Sequence, residues 1–152
     1  MIIRPKVREF VTFLLQHFRC AVWSSMTVQN LMPLLRLLLR ETGESESSFW
    51  FIYDQRHCVK APNVHHPSKP GVPLLTKPFS SIEVPFDMYN TLLIDDTPEK
   101  AMYNLEGTCI SPAPYDGSSD DDMLEVKLIP YLTSLYYSKL SVDEFVLQNP
   151  FL

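Results

Sequence analysis

Apolar residues first recur at helical spacing. Val7, Phe10, Val11, Leu14, Leu15 and Phe18 fall on one face, and Lys6, Arg8, Glu9 and Gln16 cover the other. The pattern predicts a core helix after Arg4-Pro5, with Met1-Ile2-Ile3 as the tail of a strand before it. A switch of period follows. Cys20-Ala21-Val22-Trp23 is a short continuous apolar run closed by Ser24-Ser25, which predicts a buried parallel strand with hydroxyls at its carboxyl end. Leu34, Leu35, Leu37, Leu38 and Leu39 make the next helix apolar over more than half its circumference. Asn30 is its expected N-cap, because Pro33 then lies in the first turn, where a missing N–H costs nothing.

Phe49-Trp50-Phe51-Ile52-Tyr53 predicts an aromatic strand. The proline-rich stretch from Val59 to Pro73 reads as an irregular surface excursion, followed by a brief apolar approach, Leu74-Leu75-Thr76, to Lys77. Leu92-Leu93-Ile94 is a buried strand that ends in Asp95-Asp96, with Thr97 as N-cap and Pro98 as the first residue of a short helix. Thr108-Cys109-Ile110 is a further small strand. Met123 to Leu135 predicts a helix kinked at Pro130, and Ser141-Val142-Asp143-Glu144 is a capping box that opens the last helix. Strands alternating with helices give an α/β sheet, mostly parallel.

Composition narrows the partners. The 152 residues suit one domain. A net charge of -5 gives no electrostatic case for nucleic acid or an anionic membrane. The longest apolar run, Leu31 to Leu39, is too short to span a bilayer and contains Pro33 and Arg36. Cys20, Cys58 and Cys109 are widely spaced and odd in number, which favours structural thiols in a reducing compartment. His65 and His66 lack a third spaced ligand.

Candidate chemistry sits at three strand ends: Ser24, Lys77 and Asp95-Asp96. Open α/β sheets place ligands at the carboxyl ends of their strands. A hydroxyl donor, a fixed cation and a carboxylate able to hold Mg²⁺ are the groups that bind a phosphoryl group. Successive strand residues point to opposite faces, so Asp95 and Asp96 aim at one ligand only if the backbone turns between them. Both acids also suit the positive end of the helix that Thr97 starts.

The chain resembles the haloacid-dehalogenase-type phosphatase domain that acts on the C-terminal repeat tail of RNA polymerase, the group also called nuclear-LIM-interactor-interacting-factor-like. The likeness rests on Arg4-Pro5 with Glu9-Phe10, on Val22-Trp23-Ser24-Ser25, on Asp54 with Cys58, and on Lys77. It continues through Ile94-Asp95-Asp96-Thr97-Pro98 with Asn104, Leu128-Ile129-Pro130-Tyr131-Leu132 and Asn149-Pro150-Phe151, and its wording looks most like plant members. The resemblance implies a Rossmannoid, mostly parallel sheet flanked by helices, and a Mg²⁺-dependent phosphoserine/phosphothreonine protein phosphatase. It assigns phosphate binding to Ser24 and Lys77, the Mg²⁺ ligand to Asp96, and support of the metal shell to Asp95. The nucleus is the implied compartment.

One motif departs from the pattern. The family's first motif, Asp-x-Asp-x-Thr or Val, supplies the nucleophile and the general acid and base, and no such pair occurs before Ser24. The expectation is a single phosphatase-like domain over residues 1–152, incomplete at the N-terminus and without its central first strand. Such a chain would form no aspartyl-phosphate, would bind Mg²⁺ weakly, and would be marginally stable alone. Two non-catalytic readings stand beside it. One is a subunit of the mitochondrial inner-membrane presequence translocase type, which would place the chain in the mitochondrion. The other is a decoy that binds phosphopeptides without cleaving them.

Overall fold

The helical periodicity near the N-terminus is realised. In the computed structural model, which describes residues 2–152, α1 spans Val7–His17 and buries Phe10. Met1 lies outside the described residues, and Ile2 and Ile3 form no strand. The chain divides into two compact units. The first runs to Asp54 and takes in Ala113–Ser138; the second comprises Gln55–Pro112 and Lys139–Leu152.

In the first unit, β1 (Val22–Trp23) pairs in parallel with β2 (Ile52–Tyr53), Val22 against Ile52 and Trp23 against Tyr53. The Trp23 and Tyr53 rings meet edge to face, with centroids 5.4 Å apart. Between the strands runs α2 (Val28–Leu39), which starts after Thr27 and not after Asn30. Pro33 is therefore its sixth residue, and the carbonyl of Gln29 loses its helical donor. Leu31, Leu35 and Leu39 fall on one face of the helix, and all three are buried. Burial of a leucine contributes about 1.5–3 kcal/mol, so the stripe outweighs a proline cost of about 3 kcal/mol.

The expected kink at Pro130 takes another form. Met123–Leu128 is a π-helix, and α3 (Ile129–Tyr137) continues it with Pro130 in its first turn. The N–H of Ile129 reaches the carbonyl of Leu124, five residues back. Pro130, which has no N–H, follows this wider turn. Leu124, Leu128 and Leu132 are buried along the run. Ahead of it, Arg4 makes two parallel hydrogen bonds to Asp121, each 2.8 Å. These bonds hold the Asp121 carboxyl below its ordinary range, against the opposing effect of burial. Because the folded value is depressed, the stabilisation is complete above the ordinary aspartate value of about 3.9 and is lost as pH falls through the lower, folded value. Asp121→Asn is expected to lower Tm by about 2–6 °C at neutral pH. The gap to the parent chain should close below about pH 4, as read by thermal melts across pH.

In the second unit, the stretch expected to be an irregular excursion forms a hairpin. β3 (Val59–His65) pairs antiparallel with β4 (Pro73–Thr76). The register shifts between Lys60 and His65, where Pro62 and Asn63 stand. Asn63 is left-handed at φ 57°. A bulge of this kind tolerates a proline that cannot donate to the ladder. Ala61 and Leu74 are wholly buried. Farther on, β5 (Leu93–Ile94) pairs in parallel with β6 (Cys109–Ile110), and α4 (Val142–Gln148) opens on the expected Ser141/Glu144 capping box. The fold is thus mixed α/β: among the described residues the first unit holds one parallel strand pair, and the second holds one antiparallel and one parallel pair. No helix among the described residues is long and apolar enough to cross a membrane.

Candidate functional site

β4 delivers Lys77 into the interior of the second unit, where it is 5% exposed. Its backbone is held at both ends. The Lys77 N–H donates to the carbonyl of Lys100 at 2.8 Å, and its own carbonyl accepts from Asn104 Nδ2 at 2.9 Å. Asn104 Oδ1 also accepts the N–H of Phe79, so one amide spans the residues on both sides of Pro78. Asn104→Ala would strand a donor and an acceptor. It is expected to destabilise the chain by about 2–3 kcal/mol in urea unfolding.

The Lys77 ammonium lies 2.5 Å from Asp95 Oδ2. Asp95 is fixed by β5: its N–H bonds to Ile110 on β6, and its Oδ1 accepts the N–H of Thr97 at 2.9 Å. Lys100, on the 3-10 turn Pro98–Ala101, places its Nζ 3.8 Å from the same Oδ1. One buried carboxylate therefore draws two ammonium groups. Thr97 and Pro98 do start a short helical element as expected, but its cap is made differently. The Thr97 side chain does not cap the turn; its hydroxyl donates to Asp96 Oδ1 at 3.1 Å.

The two adjacent acids thus part company at the end of β5. Asp95 is buried against Lys77, and Asp96 is exposed. Ser24 belongs to the first unit, just past β1, where its Oγ accepts the N–H of Met26 at 3.1 Å. Lys100 and the amide of Asn104 escape a reading made from strand ends alone. The available signal was Lys100 standing two residues past Pro98, in the stretch directly after the β5 acids.

Mg²⁺ prefers one or two carboxylates together with phosphate and water oxygens. A cation beside Asp95 would face the Lys77 and Lys100 ammonium groups, whereas its neighbour Asp96 is exposed. Among the described residues no three His, Cys, Asp or Glu side chains cluster in a way that could hold a metal. The donors present in this unit do not by themselves form a Mg²⁺ shell. Cys109 lies on β6, half-buried. Burial raises its thiol pKa, Asp95 adds to the rise, and Ser111 and Lys77 only partly oppose it. The thiolate, which is the reactive form, is disfavoured.

A family model, that of the NLI interacting factor-like phosphatases, matches residues 1–143. No curated protein matches the chain.

Proposed function

This chain belongs to the NLI interacting factor-like phosphatase family, and from that premise we propose that it is a phosphoserine/phosphothreonine protein phosphatase-type domain that is catalytically silent by itself. The observation that carries the reading is the state of its carboxylates. Asp95 is committed to Lys77, and no Asp-x-Asp-x-Thr occurs among the 152 residues. An aspartyl-phosphate mechanism needs a carboxylate free to attack phosphorus and a second group to move the proton. The exposed acid at the end of β5, Asp96, is the one the family pattern gives to Mg²⁺, which leaves both roles unassigned there.

What remains suits recognition. An ammonium has three donors, and Asp95 takes one of those on Lys77. The others can neutralise phosphoryl oxygens; in the first unit, the family pattern gives phosphate binding to the Ser24 hydroxyl. Asp96 is the residue that would meet Mg²⁺ once a phosphate supplied further oxygens. The absence of the first, nucleophile-bearing strand is part of this reading. In its support, β1 and β5 each pair with one strand among the described residues, and Val22, Trp23, Leu93 and Ile94 are only half-buried, as apolar strand residues lacking a neighbour would be.

The test is a paired assay on the purified chain with Mg²⁺. Hydrolysis of p-nitrophenyl phosphate and of a phosphoserine peptide should not exceed the buffer rate. Turnover in the ordinary enzymatic range of about 1–10³ s⁻¹ would overturn the proposal. In the same preparation, a labelled phosphoserine peptide should bind, and Lys77→Ala should weaken that binding about tenfold.

A further inference from the structure

From Gln55 to Ile82 the chain carries Arg56, Lys60, Lys69 and Lys77 and none of its 18 carboxylates. The other nine cations share the rest of the chain with all 18 acids. The fold gathers the acid-free stretch into the β3–β4 hairpin. Lys60 lies on β3 opposite Leu75, and Lys69 lies in the turn, where its carbonyl accepts the N–H of Val72. Both are exposed, and neither makes an ion pair among the described residues. In the first unit, by contrast, Lys6, Arg8 and Arg36 each meet a glutamate.

We propose that the β3–β4 hairpin is a docking arm for an acidic polypeptide segment, the sequence flanking the phosphorylated residue. The inference rests on the phosphoprotein reading of Lys77. β4 runs from the hairpin turn directly into Lys77, so the hairpin that carries Lys60 and Lys69 leads straight to the phosphoryl-binding group. Strand residues rise about 3.3 Å each. Leu75, the partner of Lys60, is two residues from Lys77, and Pro73, which pairs with His65 near the turn, is four. An extended peptide with its phosphoryl group at Lys77 would therefore present carboxylates to this arm from roughly two to six residues away.

Nucleic acid fits less well. The hairpin has no Phe, Tyr or Trp from Val59 to Thr76 on which bases could stack. Its two free lysines are also far fewer than the roughly 6–10 phosphate contacts of a typical nucleic-acid site.

The test uses fluorescence anisotropy with the whole 152-residue chain. The probes are a phosphoserine peptide with aspartate and glutamate flanks, the same peptide with alanine flanks, and the acidic peptide without phosphate. The acidic phosphopeptide should bind about three- to tenfold tighter than the alanine-flanked one at low salt, as two exposed ion pairs allow. The preference should fade in about 0.5 M salt. In the K60E/K69E variant it should disappear while the alanine-flanked phosphopeptide binds as before. Equal affinities, or a preference that survives charge reversal, would overturn the inference, as would tighter binding of a single-stranded RNA of equal charge. If the unphosphorylated acidic peptide binds through Lys60 and Lys69 while Lys77→Ala changes nothing, the docking arm stands and the phosphate reading falls. Both lysines are exposed, and unchanged circular dichroism would show that the variant is folded.

Discussion

Lys77→Met is expected to destabilise the chain by about 3–5 kcal/mol, because it leaves Asp95 buried without its nearest counter-charge. A chain of this size loses roughly 2–4 °C of Tm per kcal/mol, so the midpoint should fall by about 6–20 °C. The diagnostic comparison is a double-mutant cycle. Adding Asp95→Asn to Lys77→Met removes the orphaned charge, so the double variant should be at least about 1 kcal/mol more stable than the single one. Lys100, 3.8 Å from Asp95 Oδ1, limits the loss in the single variant because it still faces the carboxylate. A Lys77→Met chain within about 1 kcal/mol of the parent, or a double variant worse than either single one, would mean that the pair does not hold the unit together. The same substitution should weaken phosphopeptide binding about tenfold, as Lys77→Ala does, and the two readouts separate stability from recognition.

The second large effect is expected at Gly107. This glycine is left-handed at φ +84°, and a β-carbon there would meet the backbone oxygen of Asp143 at 2.6 Å and Leu147 Cγ at 3.1 Å. The nearer obstacle is backbone of α4, which cannot swing aside as a side-chain tip could. Gly107→Ala therefore combines a conformational cost of about 1–2 kcal/mol with a steric one, for a total of about 3–4 kcal/mol in urea unfolding. Gly43 is the control. Its φ is +79°, but nothing lies within 4 Å of a β-carbon placed there. Gly43→Ala should show the conformational cost alone, about 1 kcal/mol. Equal effects at the two positions would show that α4 does not pack on Gly107.

Local signals carried much of the architecture. The stripe in Val7–His17, the short apolar runs of β1, β2, β5 and β6 and the Ser141/Glu144 box each name an element by a pattern that lies within it. The misses are cases in which packing, strand pairing or a neighbouring side chain overrode a local rule. Pro33 argued against an early start for α2, but the buried stripe of Leu31, Leu35 and Leu39 outweighed it. The prolines between Val59 and Pro73 argued against a strand, but β4 provides a mate and the bulge at Pro62-Asn63 absorbs the missing donor. Thr97 was legible as the start of a turn; that its hydroxyl would serve Asp96 instead of capping was not.

At the site the division is the same. The order of Ser24, Lys77 and Asp95-Asp96 along the chain was enough to expect phosphoryl chemistry, because residue type and position after a strand are sequence properties. The alternation of strand faces was also enough to expect the two acids to diverge. Which acid turned inward was a tertiary decision, made by a lysine 18 residues away in sequence whose burial demands a counter-ion. So was the second ammonium from Lys100, and so was the amide of Asn104 that fixes Lys77 from 27 residues away. Residue order alone sets which chemical groups the strands end in; folding sets which of them neutralise one another and which remain open to a ligand, because burial makes that choice and burial is a property of contacts between distant segments.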